Sequence, residues 1–81
     1  MNKDAKRIDV ERTETGGLGL YYQDGDLRTC AGYAIADRSA GAVTLYLHRG
    51  AVVSSADVVR LGAQAALLAG IEGPDTYIKG A

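Results

Sequence analysis

The sequence predicts an α+β domain: a four-stranded antiparallel β-meander with one C-terminal helix packed on one face, in the order ββββα. Three observations carry this expectation. Asp24-Gly25 separates two runs of β-forming residues, a second turn-forming stretch follows at Asp37 to Gly41, and a capped helical period runs from Ser54 to Gly70. The 81 residues suit a single small domain. At that length only about 60–65% of the unfolded chain's surface is buried on folding, so self-association is one route to added stability.

Residues 1 to 6 are polar and, with 80 and 81, are expected to fray. From Arg7 to Thr15, Ile8 and Val10 alternate with Asp9 and Glu11, which reads as an edge strand ended by Gly16-Gly17. A three-residue loop, Thr15 to Gly17 with Gly17 left-handed, puts Ile8 and Val10 on the same face as Leu18 and Leu20, as one buried side requires. Leu18 to Gln23 forms the second strand, with Leu18, Leu20 and Tyr22 facing inward. A type I′ turn at Asp24-Gly25 then pairs Tyr22 with Leu27, Leu20 with Thr29 and Leu18 with Ala31. The third strand, Leu27 to Ala36, accordingly sends Leu27, Ala31, Tyr33 and Ile35 inward. Pairing Ala36 with Ala42 across the next loop sets Ile35 opposite Val43, Tyr33 opposite Leu45 and Ala31 opposite Leu47.

The helix has Ser54 as its N-cap, Asp57 closing a short-acid capping box, and Gly70 as a left-handed C-cap with Pro74 beyond. Val58, Leu61, Ala65 and Leu68 form its core stripe. Asp57, Arg60 and Gln64 are its only polar stripe, so the side carrying Val59, Gly62, Ala63, Ala66 and Leu67 is a candidate interface, with a second copy of the chain as one occupant. Thr76 to Lys79 is a candidate for a short fifth strand that pairs with an edge.

Composition narrows the function classes. Nine Lys and Arg against ten Asp and Glu leave a formal net charge of -1, whereas a general nucleic-acid binder carries a basic excess and a duplex mimic an acidic one. The single cysteine, Cys30, has no intrachain disulfide partner, and the charged first residues lead into no apolar run, so a cytoplasmic protein is expected. Ala63 to Ala69 is too short to span a bilayer, and no membrane partner is expected. With no Trp or Phe, five Tyr supply every aromatic ring.

The same register predicts the outer face of the sheet. There Cys30 lies opposite His48 and Gly19, Glu11, Tyr21 and Arg28 share a row, and Tyr46 lies over Gly32. A thiol beside an imidazole is a familiar nucleophile, but no orienting acid shares the row and an open face excludes no water, so catalysis is not expected. Two candidate ligands are too few for zinc, and no metal or cofactor is expected. Asp24 and Asp26 around Gly25 read as turn chemistry, and Gly16 to Gly19 lacks the lysine of a phosphate loop.

The outer face, comprising Glu11, Tyr21, Arg28, Cys30, Tyr46 and His48, is therefore expected to bind another protein, since Tyr and Arg are enriched among interface hot spots. Small motif-free domains of this kind include phage or mobile-element proteins that block host machinery, anti-CRISPR proteins among them; the analogy is one of size and style. Nucleic-acid binding through the outer face is the alternative, because a three-stranded sheet followed by a helix also occurs in integrase-type and double-stranded-RNA-binding domains. The lysines that the latter need at the helix start are replaced here by Ser54, Ser55, Ala56 and Asp57.

Overall fold

The computed structural model describes residues 7–24 and 26–80. The elements are β1 (Arg7–Arg12), β2 (Leu18–Asp24), β3 (Leu27–Asp37), β4 (Ala42–Leu47), α1 (Ser55–Ala69) and β5 (Asp75–Gly80). They build a five-stranded sheet in the order β1-β2-β3-β4-β5, with α1 across one face. This is the α+β fold the sequence predicts, and the fifth strand is present. Neighbours are antiparallel except β4 and β5, which run parallel because α1 forms the crossover between them. The expected fraying of 1–6 and 81, and the Gly25 half of the expected type I′ turn, lie outside the described residues; Gly80 closes β5.

The first hairpin keeps the expected faces with a different loop. Arg12 pairs with Leu18, so the connection is Thr13–Gly17 rather than three residues, and the left-handed glycine is Gly16, not Gly17. Thr13 holds this loop by donating its N–H to the Gly17 carbonyl at 2.8 Å and by accepting the Gly17 N–H on its Oγ1 at 3.0 Å. The register moves by two residues, and an even shift leaves every side chain on its face. Ile8 and Val10 are buried with Leu18 and Leu20.

The second and third hairpins depart further. Asp24 pairs with Leu27 and Tyr22 with Thr29, again an even displacement from the expected register. Between Tyr21↔Cys30 and Leu20↔Gly32, however, a β-bulge leaves Ala31 without a rung partner, and beyond it the parity of β3 is reversed. Ala36 then pairs with Val43, Ala34 with Leu45 and Gly32 with Leu47. Ala34 is buried, whereas Tyr33 and Ile35, expected inside, stand on the opposite face at 46% and 52% exposure. Leu27 keeps the inward parity but lies beyond the cover of the helix, 69% exposed.

The core is the set Ile8, Val10, Leu18, Leu20, Ala31, Ala34, Val43, Leu45, Leu47, Leu61, Ala65 and Ala66. The helix caps follow expectation: Ser54 Oγ accepts the Asp57 N–H at 3.1 Å, Asp57 Oδ2 accepts the Ser54 N–H at 3.2 Å, and Gly70 adopts φ +76°. Its buried stripe is rotated from the expected one. Leu61, Gly62, Ala65 and Ala66 are buried, Val58 is half-buried, and Leu68 is 37% exposed. The polar stripe explains the rotation, because Arg60 and Gln64 reach over β1. Arg60 Nη1 and Gln64 Nε2 donate to Asp9 Oδ1 at 3.0 and 3.1 Å, and Gln64 Oε1 accepts the Val10 N–H at 3.0 Å. No helix among the described residues is long and apolar enough to cross a membrane.

The capping box makes a pH-dependent prediction. The Ser54 N–H, then the Arg60 guanidinium, hold the Asp57 carboxyl below its ordinary value. A depressed folded pKa means stabilisation that is complete above the unfolded value of about 3.9 and lost as pH falls through the folded one. Asp57→Asn is therefore expected to be about 0.5–1 kcal/mol less stable than the parent at pH 7 in urea titrations, with the difference shrinking as pH falls below the unfolded value of about 3.9. A difference independent of pH would assign the effect to packing.

Candidate binding face

Because α1 occupies one face of the sheet, the side chains of opposite parity form the other. One rung crosses all five strands: Glu11 pairs with Gly19, Gly19 with Tyr33, Tyr33 with Tyr46, and Tyr46 with Lys79. Tyr33 and Tyr46 stack with ring centroids 4.9 Å apart and planes 13° from parallel, and Lys79 Nζ lies 5.8 Å from the Tyr46 ring centre. Such an aromatic pair contributes about 0.5–1.5 kcal/mol beyond its buried area. The neighbouring rung adds Ile35, Thr44 and Tyr77, the last 55% exposed.

At the β1–β2 end the aromatic ring is Tyr21. A Cβ built on Gly19 would stand 2.5 Å from the Tyr21 ring, so the ring lies folded over the bare glycine backbone. The Arg28 guanidinium sits 4.6 Å from the centre of the same ring and forms an ion pair with Glu11. Glu11, Arg28 and Tyr21 thus meet as the sequence suggested, although Glu11 faces Gly19 across the strands rather than Tyr21. Each of these exposed contacts is worth about 1 kcal/mol or less, so they orient the ring more than they stabilise the fold.

The other expected neighbours are rearranged by the bulge. Cys30 pairs with Tyr21, not with Gly19, and Tyr46 pairs with Tyr33, not with Gly32. His48 donates its N–H to the Ala31 carbonyl at 2.8 Å, placing it beside the bulged residue rather than opposite Cys30. The Cys30 thiol donates to the Gly32 carbonyl at 3.4 Å. Cys30 and His48 still line one shallow depression of about 350 Å³, together with Gly19, Tyr21, Tyr33 and Ile35. Among the described residues no group of three His, Cys, Asp or Glu side chains converges on a point that a metal could occupy.

Tyr33, Ile35 and Tyr77 are the face residues that sequence reasoning missed. Gly32, an isolated glycine inside a strand, was the available signal for the bulge that turns the first two outward. The fifth tyrosine, Tyr22, is structural: its hydroxyl donates to the Val52 carbonyl and accepts the Val52 N–H, both at 2.9 Å, pinning the segment before α1.

The candidate helix interface divides. Gly62 and Ala66 are buried under the chain's own sheet, whereas Val59 and Leu67 are 71% and 83% exposed and Ala63 is also exposed. Three carboxyls, Asp9, Asp37 and Asp57, are held below their ordinary values. Burial pushes Asp9 up, but hydrogen bonds from Gln64 and Arg7 and the charges of Arg7 and Arg60 outweigh it and hold the carboxyl below its ordinary value. Asp37 is held down by hydrogen bonds from Ser39 and Ala40 in the β3–β4 turn. Comparison with protein-family models, with curated proteins and with solved structures gave no match to this chain.

Proposed function

We propose that this chain is a non-enzymatic protein-binding module whose tyrosine-bearing sheet face docks another protein. One observation carries the reading. The bulge turns Ala34 into the core and leaves Tyr33 and Ile35 on the open face at 46% and 52% exposure, the reverse of what burial of apolar area favours. A register that exposes the larger side chains is intelligible where those side chains meet a partner. Tyrosines suit that task because each offers a rigid apolar body and a polar tip at little entropic cost. Arg28 and Lys79 at the two ends supply polar rims around the aromatic centre. The cytoplasm is the proposed location, in keeping with an exposed lone thiol. Occlusion of a host protein's surface by a small phage or mobile-element inhibitor is the specific form we favour.

The test compares capture of partners from host extract, identified by mass spectrometry, between the parent and Tyr33→Ala/Tyr46→Ala. Loss of this ring pair is expected to weaken capture about tenfold or more while the circular dichroism spectrum is retained, whereas Leu67→Glu on the helix leaves capture intact. The reverse pattern would move the site to the helix. Retention on single-stranded RNA or DNA that disappears with salt would replace a protein partner with a nucleic acid.

A further inference from the structure

The two edges of the sheet are treated differently. At β1 the outward Val10 N–H is taken by Gln64, and Arg12 Nη2 reaches the Leu68 carbonyl at 2.8 Å, so helix and edge are tied together and the edge is obstructed. At β5, Asp75 donates its N–H to the Gly41 carbonyl at 3.0 Å. By strand alternation the backbone groups of Asp75, Tyr77 and Lys79 turn toward β4, and those of Thr76, Ile78 and Gly80 turn to the free edge. Among the described residues no group bonds to the free-edge N–H and C=O of Thr76 or Ile78. An open edge of this kind is a template for another strand.

We infer that β5 is a homodimerisation edge, pairing antiparallel with β5 of a second copy about a twofold axis at Tyr77. The occupant follows from parity and charge. Since only Thr76, Ile78 and Gly80 present groups at the edge, the hydrogen-bonded pairs must join residues of even number. With the axis at Tyr77, Thr76 exchanges both backbone bonds with Ile78 of the second copy, and Ile78 does so with its Thr76. Asp75 then stands directly opposite Lys79 of the second copy, twice, and the two Tyr77 rings face each other in a non-hydrogen-bonded pair, where Cα atoms approach to about 4.5 Å. An axis at Thr76 would set Asp75 against Tyr77 and bring Pro74, which has no N–H, opposite Ile78 within the strand, whereas the Tyr77 axis meets Pro74 only with the terminal Gly80. An axis at Ile78 would leave Lys79 opposite Tyr77 and Asp75 past the end of the strand. The Tyr77 register alone pairs both charges.

Matching parity also matches faces. The two five-stranded sheets become one of ten strands, with both helices on one side and both tyrosine rows on the other. Ile78, 45% exposed on the helix side, packs beside Thr76 of the second copy, and Tyr77 becomes the centre of a doubled aromatic surface.

Light scattering on the full chain is expected to give twice the 8.5 kDa chain mass, falling on dilution. Asp75→Lys or Lys79→Asp alone sets like charges opposite each other at both contacts and is expected to raise the dimer Kd about tenfold or more. Mixing these two variants makes both contacts opposite in sign and should restore dimer, as a heterodimer visible by native mass spectrometry. The double variant Asp75→Lys/Lys79→Asp should dimerise as the parent does. A parent that stays monomeric up to its solubility limit overturns the proposal. So does a dimer indifferent to the single swaps, or one abolished by Leu67→Glu, which would place the interface on α1.

Discussion

Gly32→Ala is expected to lower the thermal unfolding midpoint by more than about 10 °C. Gly32 sits at φ +151°, and a Cβ there would stand 2.0 Å from the Tyr46 carbonyl oxygen and 3.0 Å from the Leu47 Cα. The obstruction is backbone of the neighbouring strand, which moves only if β4 separates from β3. Strain at the dihedral contributes about 1–3 kcal/mol and the overpacking about as much again. A domain of this size has roughly 5–10 kcal/mol in all, with about 4–8 °C of midpoint per kcal/mol. Calorimetry checks the value, and an unchanged midpoint would mean that β3 is not bulged at this position. The same substitution should also release the tyrosine face, since the bulge alone places Tyr33 beside Tyr46; loss of near-ultraviolet tyrosine dichroism before global unfolding would report it.

The second large effect is expected at Gly62→Ala. Alanine is the better helix former, so on propensity alone the change should stabilise α1 by about 1 kcal/mol. Packing reverses the sign. The added Cβ would meet Thr76 Oγ1 at 2.3 Å and Thr76 Cγ2 at 2.8 Å, so α1 must lift from β5 or Thr76 must shift. A net destabilisation of about 2 kcal/mol is expected from denaturant titration. Thr76→Ala removes both of those atoms and leaves the Thr76 Cβ at 3.0 Å, so the double variant should recover most of the loss. Additive losses in the double-mutant cycle would show that Gly62 is required for some reason other than its contact with β5.

Gly62 also shows how a correct signal was assigned to the wrong partner. It belongs to the side of α1 that the sequence offers as an interface, and a neighbour does come close to it, but that neighbour is the Thr76 side chain of β5 in the same chain rather than a second copy. Sequence spacing reports that a side chain must be small; which surface comes near depends on how the crossover places β5. The polar stripe of Asp57, Arg60 and Gln64 is likewise turned toward the chain's own sheet. Its Arg60 and Gln64 hold Asp9 and the Val10 N–H at the edge of β1.

The site was legible in parts. Tyr21, Arg28 and Glu11 were placed together because the register errors in the first two hairpins near their turns were even, and even errors preserve faces. Cys30 and His48 were set opposite each other by a register that ignored the bulge, and the structure separates them by one position while leaving both on the same depression. Tyr33, Ile35 and Tyr77 are not legible from local pattern for related reasons: one unpaired residue turns the first two over, and the place of the third depends on where the last strand docks.

By itself the sequence determined the class of fold, the order of the first four strands and the helix, the helix caps and the inward set of β1, β2 and β4. All of these rest on local rules: alternation along a strand, turn residues at fixed offsets, and capping groups within a helical turn. The tertiary structure alone decided the Ala31 bulge, the parallel docking of β5 and the identity of the exposed face. Those depend on whether Gly32 can pass the Tyr46 carbonyl and whether Gly62 can admit Thr76, contacts between residues 14 apart in the chain in each case, which no local period records. A single extra residue in β3 exchanges core for surface because side chains alternate with a period of two. That exchange placed Tyr33 and Ile35 where a partner can reach them.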